Sequence, residues 1–175
     1  MLSINEILIG VPGGGEDLYK RHQQVWRAMH DHVRQGEGSP FLFAQIADRM
    51  YRVRSHRLPA RLSRRIVLPV SGEEYRFQVD LAAMRGSDKK QPVPLSDLDG
   101  WVSSLLQKHG YEPHALQVSN VSMVSGMKQG MRIQIQSVRG TGMLYVKDTK
   151  LAQEAFTKGI GRGKRFGFGM LLLRN

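Results

Sequence analysis

Apolar and polar side chains alternate along several stretches of the chain, and this period of two predicts β-strands. In residues 73–82, Tyr75, Phe77 and Val79 alternate with polar side chains, so one face of the predicted strand is apolar. Short apolar stretches of the same kind predict further strands at 2–9, 41–46, 50–55, 62–70, 114–124, 131–146 and 168–173.

Residues 16–34 show the 3.6-residue period of an amphipathic helix instead. Leu18, Val25 and Met29 fall near one face of this helix, and polar side chains occupy the rest of it. Loops are predicted where glycine and proline cluster, at 11–15 and 86–94.

Two further helices are predicted in the second half of the chain. One begins at Ser96 as N-cap, with Asp99 three residues later, and ends before Gly110. The other occupies residues 148–158 and is ended by Gly159.

The order of these elements predicts the fold class. From residue 73 onward the order is strand, helix, strand, strand, helix, strand, as in a ferredoxin-like (RRM-like) unit. The preceding residues begin in the same way, but their second helix is missing or reduced to a turn near 56–61. We therefore predict an α+β protein with two tandem ferredoxin-like domains, 1–72 and 73–175, of which the first is degenerate. Units of this fold often bind RNA, but a fold alone does not establish a function.

Composition adds a strong positive charge. The 26 lysines and arginines outnumber the 15 aspartates and glutamates, which gives a net charge of +11. Residues 49–65 hold seven arginines and no acidic residue. Such a run can be a solvated surface, but it repels itself, and a polyanion relieves the repulsion. We favour nucleic acid over a membrane surface as the partner, because the run lacks an amphipathic helical pattern.

Several classes of site are disfavoured by what the sequence lacks. There are no cysteines, which excludes disulfides and thiolate metal sites. His30 and His32 point to different sides of the predicted helix and make a poor metal pair, so we expect no metal and no cofactor. Without a signal-peptide layout or a long apolar run, we expect a cytoplasmic protein with no membrane segment.

A basic glycine-rich segment lies near the end of the sequence. Its five glycines and four cations are Lys158, Gly159, Gly161, Arg162, Gly163, Lys164, Arg165, Gly167 and Gly169. It is not a P-loop, because only three residues separate Gly159 from Gly163. It is not a dinucleotide fingerprint either, because it follows a helix and opens a strand. A flexible turn is one interpretation; we favour a loop whose N–H groups and cations bind a nucleic-acid backbone.

At this segment the sequence resembles the CasE family, the CRISPR repeat-processing endoribonucleases of type I-E systems, which are RAMP proteins. The stretch GIGRGKRFGFGMLLL (159–173) is similar to the glycine-rich motif of that family. The stretch EDLYKRHQQVW (16–26) is similar to its first helix, where a tyrosine and a histidine three residues later lie in the active site. The chain departs from the family in its short first domain, and in YRFQVDLAAMR (75–85), where an arginine-rich strand is usual.

The resemblance implies an activity and its residues. Tyr19 and His22 form the catalytic pair, and the glycines at 159, 161, 167 and 169 shape a loop that holds RNA. The family cuts CRISPR repeat RNA without metal: the 2′-hydroxyl attacks the scissile phosphate and leaves a 2′,3′-cyclic phosphate and a 5′-hydroxyl. The implied partners are the repeat RNA, the crRNA stem-loop, and the other subunits of a type I Cascade-like complex.

The residues themselves leave the role of His22 open. It lies in the first turns of the predicted helix, where the dipole disfavours a second positive charge and favours a neutral, basic imidazole. Periodicity alone favours a half-buried core histidine, and the resemblance favours a catalytic one. Trp26 is interpreted as a packing residue.

A glycine-bearing hairpin tip at 125–132 carries Lys128 and Arg132, which we expect to engage the repeat stem, although an ordinary exposed turn has the same pattern. Two other functions are open at this point. One is a crRNA-binding subunit that does not cleave, and the other is a general ferredoxin-like RNA-binding protein.

Overall fold

Two four-stranded antiparallel sheets form the framework of the computed structural model, which describes residues 2–12, 17–33, 41–87 and 89–174. The first sheet and its helix are β1 (Ser3–Gly10), α1 (Leu18–Met29), β2 (Leu42–Ala47), β3 (Met50–Ser55) and β4 (Arg64–Val67). The second sheet and its helices are β5 (Glu74–Ala82), α2 (Leu98–Lys108), β8 (Tyr111–Lys128), β9 (Met131–Val146), α3 (Thr149–Lys158) and β10 (Leu172–Arg174). A small ribbon of β6 (Met84–Arg85) and β7 (Gln91–Pro92) lies between β5 and α2.

Both sheets have the strand order of a ferredoxin-like unit. The order is β2-β3-β1-β4 in the first sheet and β10-β5-β9-β8 in the second, with every neighbouring pair antiparallel. Two helices connect the strands of the second sheet, but only a 3₁₀ turn at Ala60–Leu62 connects β3 to β4. The predicted tandem α+β fold with a reduced second helix is therefore confirmed.

Some predicted boundaries are wrong for local reasons. Ser96 is not the N-cap of α2, because it lies inside a 3₁₀ turn, Leu95–Asp97, that precedes the helix, and Asp97 occupies the cap position. Gly110 does follow α2, with φ of +82° and no room for a Cβ beside Asp148 O.

Helix α1 is shorter than the predicted 16–34. It ends at Met29, because the next N–H group bonds back three residues to Arg27 O instead of four. Residues 16 and 34 lie outside the described part of the chain, as do Gly13, Gly14 and Gly15 of the predicted loop at 11–15 and residue 88 of the loop at 86–94. Strand β7 lies within that second loop and pairs with β6, which directly precedes the loop.

The final strand is also shorter than predicted. Only Leu172–Arg174 pairs with β5, whereas the prediction began at Phe168. Phe168, Met170 and Leu171 are all buried, so this stretch packs on several sides and does not alternate along a sheet.

The hydrophobic core explains why the glycine-rich segment is fixed against the first sheet. One buried cluster lies between the second sheet, α2 and α3, and another lies between the first sheet and α1. Smaller clusters join the two halves, and one of them contains Leu42, Ala44, Met170 and Leu172. The residues that flank the glycine-rich segment therefore pack on β2. No helix among the described residues is long and apolar enough to span a membrane.

Candidate active site

Asp17 holds the start of α1 and the tip of the β8–β9 hairpin together. Its Oδ1 accepts hydrogen bonds from the backbone N–H groups of Tyr19 and Lys20, both at 2.8 Å, as an N-cap does. Its Oδ2 accepts a third from Met127 N–H at 3.1 Å. These N–H donors, Lys20 N–H foremost, lower the pKa of Asp17 below its ordinary value.

The hairpin tip approaches α1 closely. Its two-residue turn is Gln129–Gly130, with φ of +49° and +77°, values typical of a type I′ turn. At Gly126 an added Cβ would lie 2.9 Å from the backbone nitrogen of Tyr19, so only glycine allows this contact. The predicted hairpin tip therefore lies directly beside the predicted catalytic helix, with Lys128 in it.

His22 contacts the glycine-rich segment through one short hydrogen bond. Its Nδ1 lies 2.6 Å from the carbonyl oxygen of Arg165. A carbonyl oxygen only accepts, so the neutral imidazole carries its hydrogen on Nδ1 and keeps a lone pair on Nε2. The rings of Phe166 and Trp26 lie 6.0 and 5.6 Å from the His22 ring, centroid to centroid, and form the walls of its site.

The surroundings of His22 favour the neutral imidazole. Burial of the half-exposed ring lowers its pKa most, the positive charges of Arg165 and Lys128 lower it further, and the bond to Arg165 O opposes them. The direction agrees with the sequence-based expectation, but the main cause is desolvation, which the helix position alone did not indicate.

Tyr19 completes the cluster on α1. Its half-buried ring lies 6.1 Å from that of His22, tilted by 32°. The structure thus brings Tyr19, His22, Lys128 and the backbone of Arg165 together from three separate segments. Trp26 packs on Phe41, at 5.0 Å between centroids, yet is 39% exposed and borders the His22 site.

Close contacts inside the protein determine the backbone conformation of the glycine-rich segment. Gly169 has φ of +79°, and an added Cβ would lie 2.0 Å from Ile160 O. At Gly167, with φ of +90°, the Cβ would lie 2.8 Å from the ring of Phe43. These two glycines are therefore needed for packing, whereas the sequence suggested the approach of phosphate. Gly161 is exposed, with no atom nearer than 3.4 Å to an added Cβ.

Some backbone N–H groups of the glycine-rich segment are not used in hydrogen bonds within the described part of the chain. Ile160 N–H bonds Gly169 O and Gly169 N–H bonds Asp80 O, so the two ends of the segment are satisfied internally. Within the described part of the chain, the N–H groups of residues 161–163 form no hydrogen bond. Gly161 and Arg162 are exposed and Gly163 is half-buried, so backbone N–H groups of this part of the segment can donate to an anion.

The four cations of the segment do not converge on one point. Lys158 pairs with Glu154 at 2.8 Å, and Arg162 Nη1 donates to Gly86 O at 2.6 Å. Lys164 is half-buried, which lowers its pKa, and the charge of Lys158 lowers it further. Arg165 is the one of the four whose charge acts on His22.

The arginine-rich run 49–65 is also divided by the fold. Arg54 is 1% exposed and forms a buried ion pair with Glu6, so it is not available to RNA. Arg52 is partly buried and lies 3.8 Å from the same carboxylate. The arginines of the run that stay exposed are Arg49, Arg61, Arg64 and Arg65.

Sequence reasoning missed Asp17, Gly126 and Arg54. Asp17 carries a usable signal, because an aspartate directly before an amphipathic stretch is a common N-cap. The partners of Gly126 and Arg54 lie far away along the chain, and no local pattern reveals them. No cluster of histidine and acidic side chains able to hold a metal ion occurs within residues 2–12, 17–33, 41–87 and 89–174.

Comparison with known proteins gives one family and one fold. A family model described as CRISPR associated protein matches residues 11–175. The CRISPR endoribonuclease Cse3 bound to a 19-nucleotide RNA is 16% identical, with a TM-score of 0.71 over 99% of this chain and 100% of that one. A chain of a CRISPR RNA-guided surveillance complex is 20% identical, with a TM-score of 0.68 over 98% of both chains. Cas6e of Escherichia coli K-12 is 16% identical, with a TM-score of 0.66 over 98% of both chains. No curated protein sequence matches the chain.

Proposed function

Since the chain belongs to the CRISPR associated protein family, we propose that it is an endoribonuclease that cleaves the repeat hairpins of precursor crRNA. It has the fold of Cse3 and Cas6e, and relatives of this fold are bound to RNA or belong to a CRISPR RNA-guided surveillance complex. After cleavage the protein stays on the crRNA stem-loop as a subunit of such a complex.

The observation that carries the proposal is the short bond between His22 Nδ1 and Arg165 O. It leaves the Nε2 lone pair available as a general base in a ring whose pKa is lowered. RNA supplies its own nucleophile, so a base, an orienting hydroxyl and positive charge are the groups required from the protein. His22, Tyr19 and Lys128 have those properties and lie in one place.

The reaction follows from these groups without a metal ion. His22 Nε2 takes the proton of the 2′-hydroxyl, whose oxygen bonds to the adjacent phosphorus. The bond to the 5′-oxygen breaks, that oxygen takes a proton from water, and the His22 imidazolium returns its proton to the solvent. The products are a 2′,3′-cyclic phosphate and a 5′-hydroxyl. Tyr19 orients the 2′-hydroxyl or a phosphate oxygen, and the charges of Lys128 and Arg165 stabilise the dianionic transition state.

RNA binds where α1, the glycine-rich segment and the hairpin tip meet. The N–H groups of residues 161–163, with the cations at 158, 162, 164 and 165, hold the cleaved strand. The hairpin tip, with Lys128 and Arg132, contacts the phosphate backbone of the RNA stem. We place the domain boundary between residues 72 and 73, since β4 of the first sheet ends at Val67 and β5 of the second begins at Glu74.

The first test is single-turnover cleavage of repeat RNA in EDTA. We expect the wild type to cleave and His22→Ala to be slower by about 10²–10⁴-fold, with nearly unchanged RNA binding, because only a general acid–base is lost. His109→Ala is the matched control, since His109 is also half-buried with a lowered pKa and lies at the end of α2. A wild type that does not cleave in EDTA contradicts the proposed reaction, and an alanine variant that cleaves at the wild-type rate contradicts the role of His22.

A further inference from the structure

One buried arginine holds both ends of the glycine-rich segment. The guanidinium of Arg54, on β3, donates from Nη1 to Phe156 O at 2.7 Å and from Nη2 to Leu171 O at 3.0 Å. Phe156 lies just before the segment 159–169 and Leu171 just after it. The side chain is 1% exposed, so water does not share these bonds.

These carbonyl groups need a donor from elsewhere. Phe156 O lies in the last turn of α3, where carbonyl groups lose their helical partners. The N–H four residues later, that of Ile160, bonds Gly169 O instead. Leu171 precedes the first paired residue of β10. Arg54 therefore satisfies two buried acceptors that the local backbone leaves without a donor.

Arg54 is itself fixed by the first sheet. Its Nε donates to Glu6 Oε1 at 2.7 Å, and Glu6 on β1 is the direct cross-strand neighbour of Arg54 on β3. The guanidinium carbon lies 3.5 Å from the centre of the Phe156 ring. The planar fork thus makes three polar contacts and one stacking contact, which an ammonium group cannot reproduce.

The same segment holds His22. Arg165 lies within the segment, and its carbonyl oxygen accepts the 2.6 Å hydrogen bond from His22 Nδ1. Helix α1, which carries His22, packs on the first sheet through Val25 and Met29. The helix and both ends of the segment are therefore positioned against that sheet. Arg54 supplies the hydrogen bonds that hold the two ends there.

We propose that Arg54 is a positioning residue of the active site. It holds both ends of segment 159–169 against the first sheet, and so fixes the position of the Arg165 carbonyl that keeps His22 in its Nδ1–H tautomer. Its catalytic consequence rests on the proposed function above. A second tie, Gly169 N–H to Asp80 O at 2.7 Å, anchors the segment to β5. Without Arg54 the segment therefore stays folded, but its position relative to α1 is no longer fixed.

The test compares three variants in the RNA-free protein and in cleavage. Arg54→Lys keeps the charge. Glu6→Leu with Arg54→Met removes both charges of the fully buried pair, for the case that the first variant does not fold, and leaves the partly buried Arg52 without the carboxylate at 3.8 Å. Tyr111→Phe is the control. It removes the 2.8 Å hydrogen bond from a buried hydroxyl to Ala152 O, on the same helix α3 but away from the segment.

The primary measurement is the ¹⁵N spectrum of the His22 imidazole, assigned by comparison with His22→Ala. We expect the Nδ1–H tautomer in the wild type and in Tyr111→Phe, and a mixture of tautomers in both Arg54 variants. Wild-type ¹⁵N shifts in the folded Arg54 variants overturn the inference. This measurement needs no RNA, so its result is independent of whether the protein cleaves.

Cleavage then tests the catalytic consequence. Single-turnover rates of the Arg54 variants are expected to fall by about 10–100-fold, the size of effect that a misplacement near 1 Å produces. In the His22→Ala background the same changes are expected to cost nothing more. An equal further loss in that background overturns positioning through His22, whereas absence of cleavage by the wild type overturns only the proposed function.

Discussion

The carboxylate of Asp17 caps helix α1 and also holds the tip of the β8–β9 hairpin, and substitutions of Asp17 can separate these two effects. Asp17→Ala removes the acceptor for all three N–H groups. Asp17→Asn keeps one oxygen for the cap of α1 but turns an amide NH₂ toward Met127 N–H, so a donor faces a donor. We therefore expect the asparagine variant to release the hairpin tip while α1 stays capped.

The contacts of Asp17 give the size of each effect. Loss of an N-cap costs about 1 kcal/mol. The bond from Met127 N–H to the carboxylate adds about 1 kcal/mol, below the range of about 1.5–3 kcal/mol for charged acceptors, because water reaches the tip. Asp17→Ala is then expected to cost about 2 kcal/mol and Asp17→Asn about 1 kcal/mol. For a chain of 175 residues, these values lower the melting temperature by about 4–8 °C and 2–4 °C.

Urea unfolding and amide hydrogen exchange are the assays. Exchange of Met127 N–H is expected to accelerate in both variants, and exchange of Lys20 N–H only in Asp17→Ala. Asp31→Asn is the control, because its carboxylate is exposed and, among the residues that the structure describes, contacts His30 alone. If Asp17→Asn matches the wild type in stability and in protection of Met127 N–H, the tip is held by other contacts and the assignment is wrong.

The contribution of Asp17 also has a defined pH dependence. Folding lowers its pKa from the ordinary value of 3.8, so the folded state holds the charged form more tightly than the unfolded state does. The stabilisation is fully present above the unfolded pKa and is lost as pH falls through the folded pKa. The difference in stability between the wild type and Asp17→Asn is therefore expected to shrink in acid.

Three further predictions concern the site. Lys128→Ala removes a charge that lowers the pKa of His22, so the acid limb of the single-turnover rate is expected to move to higher pH; an unmoved limb refutes the coupling. Gly169→Ala is expected to cost several times the roughly 1–2 kcal/mol that Gly161→Ala costs in urea unfolding, because both have positive φ but only the former meets a carbonyl oxygen at 2.0 Å. Lys128→Ala combined with Arg132→Ala is expected to abolish the preference for the repeat hairpin over an unstructured RNA of equal length, and a surviving preference would mean that another face reads the stem.

The sequence predicted those parts of the fold that depend on neighbouring residues. Strand β3 was predicted with its observed bounds, and β9 likewise, because alternation and turn residues are local signals. The predicted N-cap at Ser96 was wrong because a 3₁₀ turn precedes α2, and the predicted strand start at Phe168 was wrong because Phe168 packs into the core.

The candidate site was less accessible to sequence reasoning. Tyr19 and His22 were identified through a resemblance, and their roles stay predictions. The group that orients His22 is a backbone carbonyl 143 residues away, which has no signature in residue type. Arg54 was counted with a basic surface run, because a buried arginine and an exposed one look alike until Glu6 is placed beside it.

The contact between His22 and Arg165 has a consequence for the nascent chain. The two residues are 143 positions apart, and at 5–20 residues per second the ribosome needs roughly 7–30 s to synthesise the intervening chain. The first sheet is complete by Val67, but the second cannot close until β10 is available to pair with β5. During translation the protein therefore carries its histidine without the carbonyl that orients it. Under the proposed function, we therefore expect the nascent chain not to cleave RNA until the glycine-rich segment has emerged.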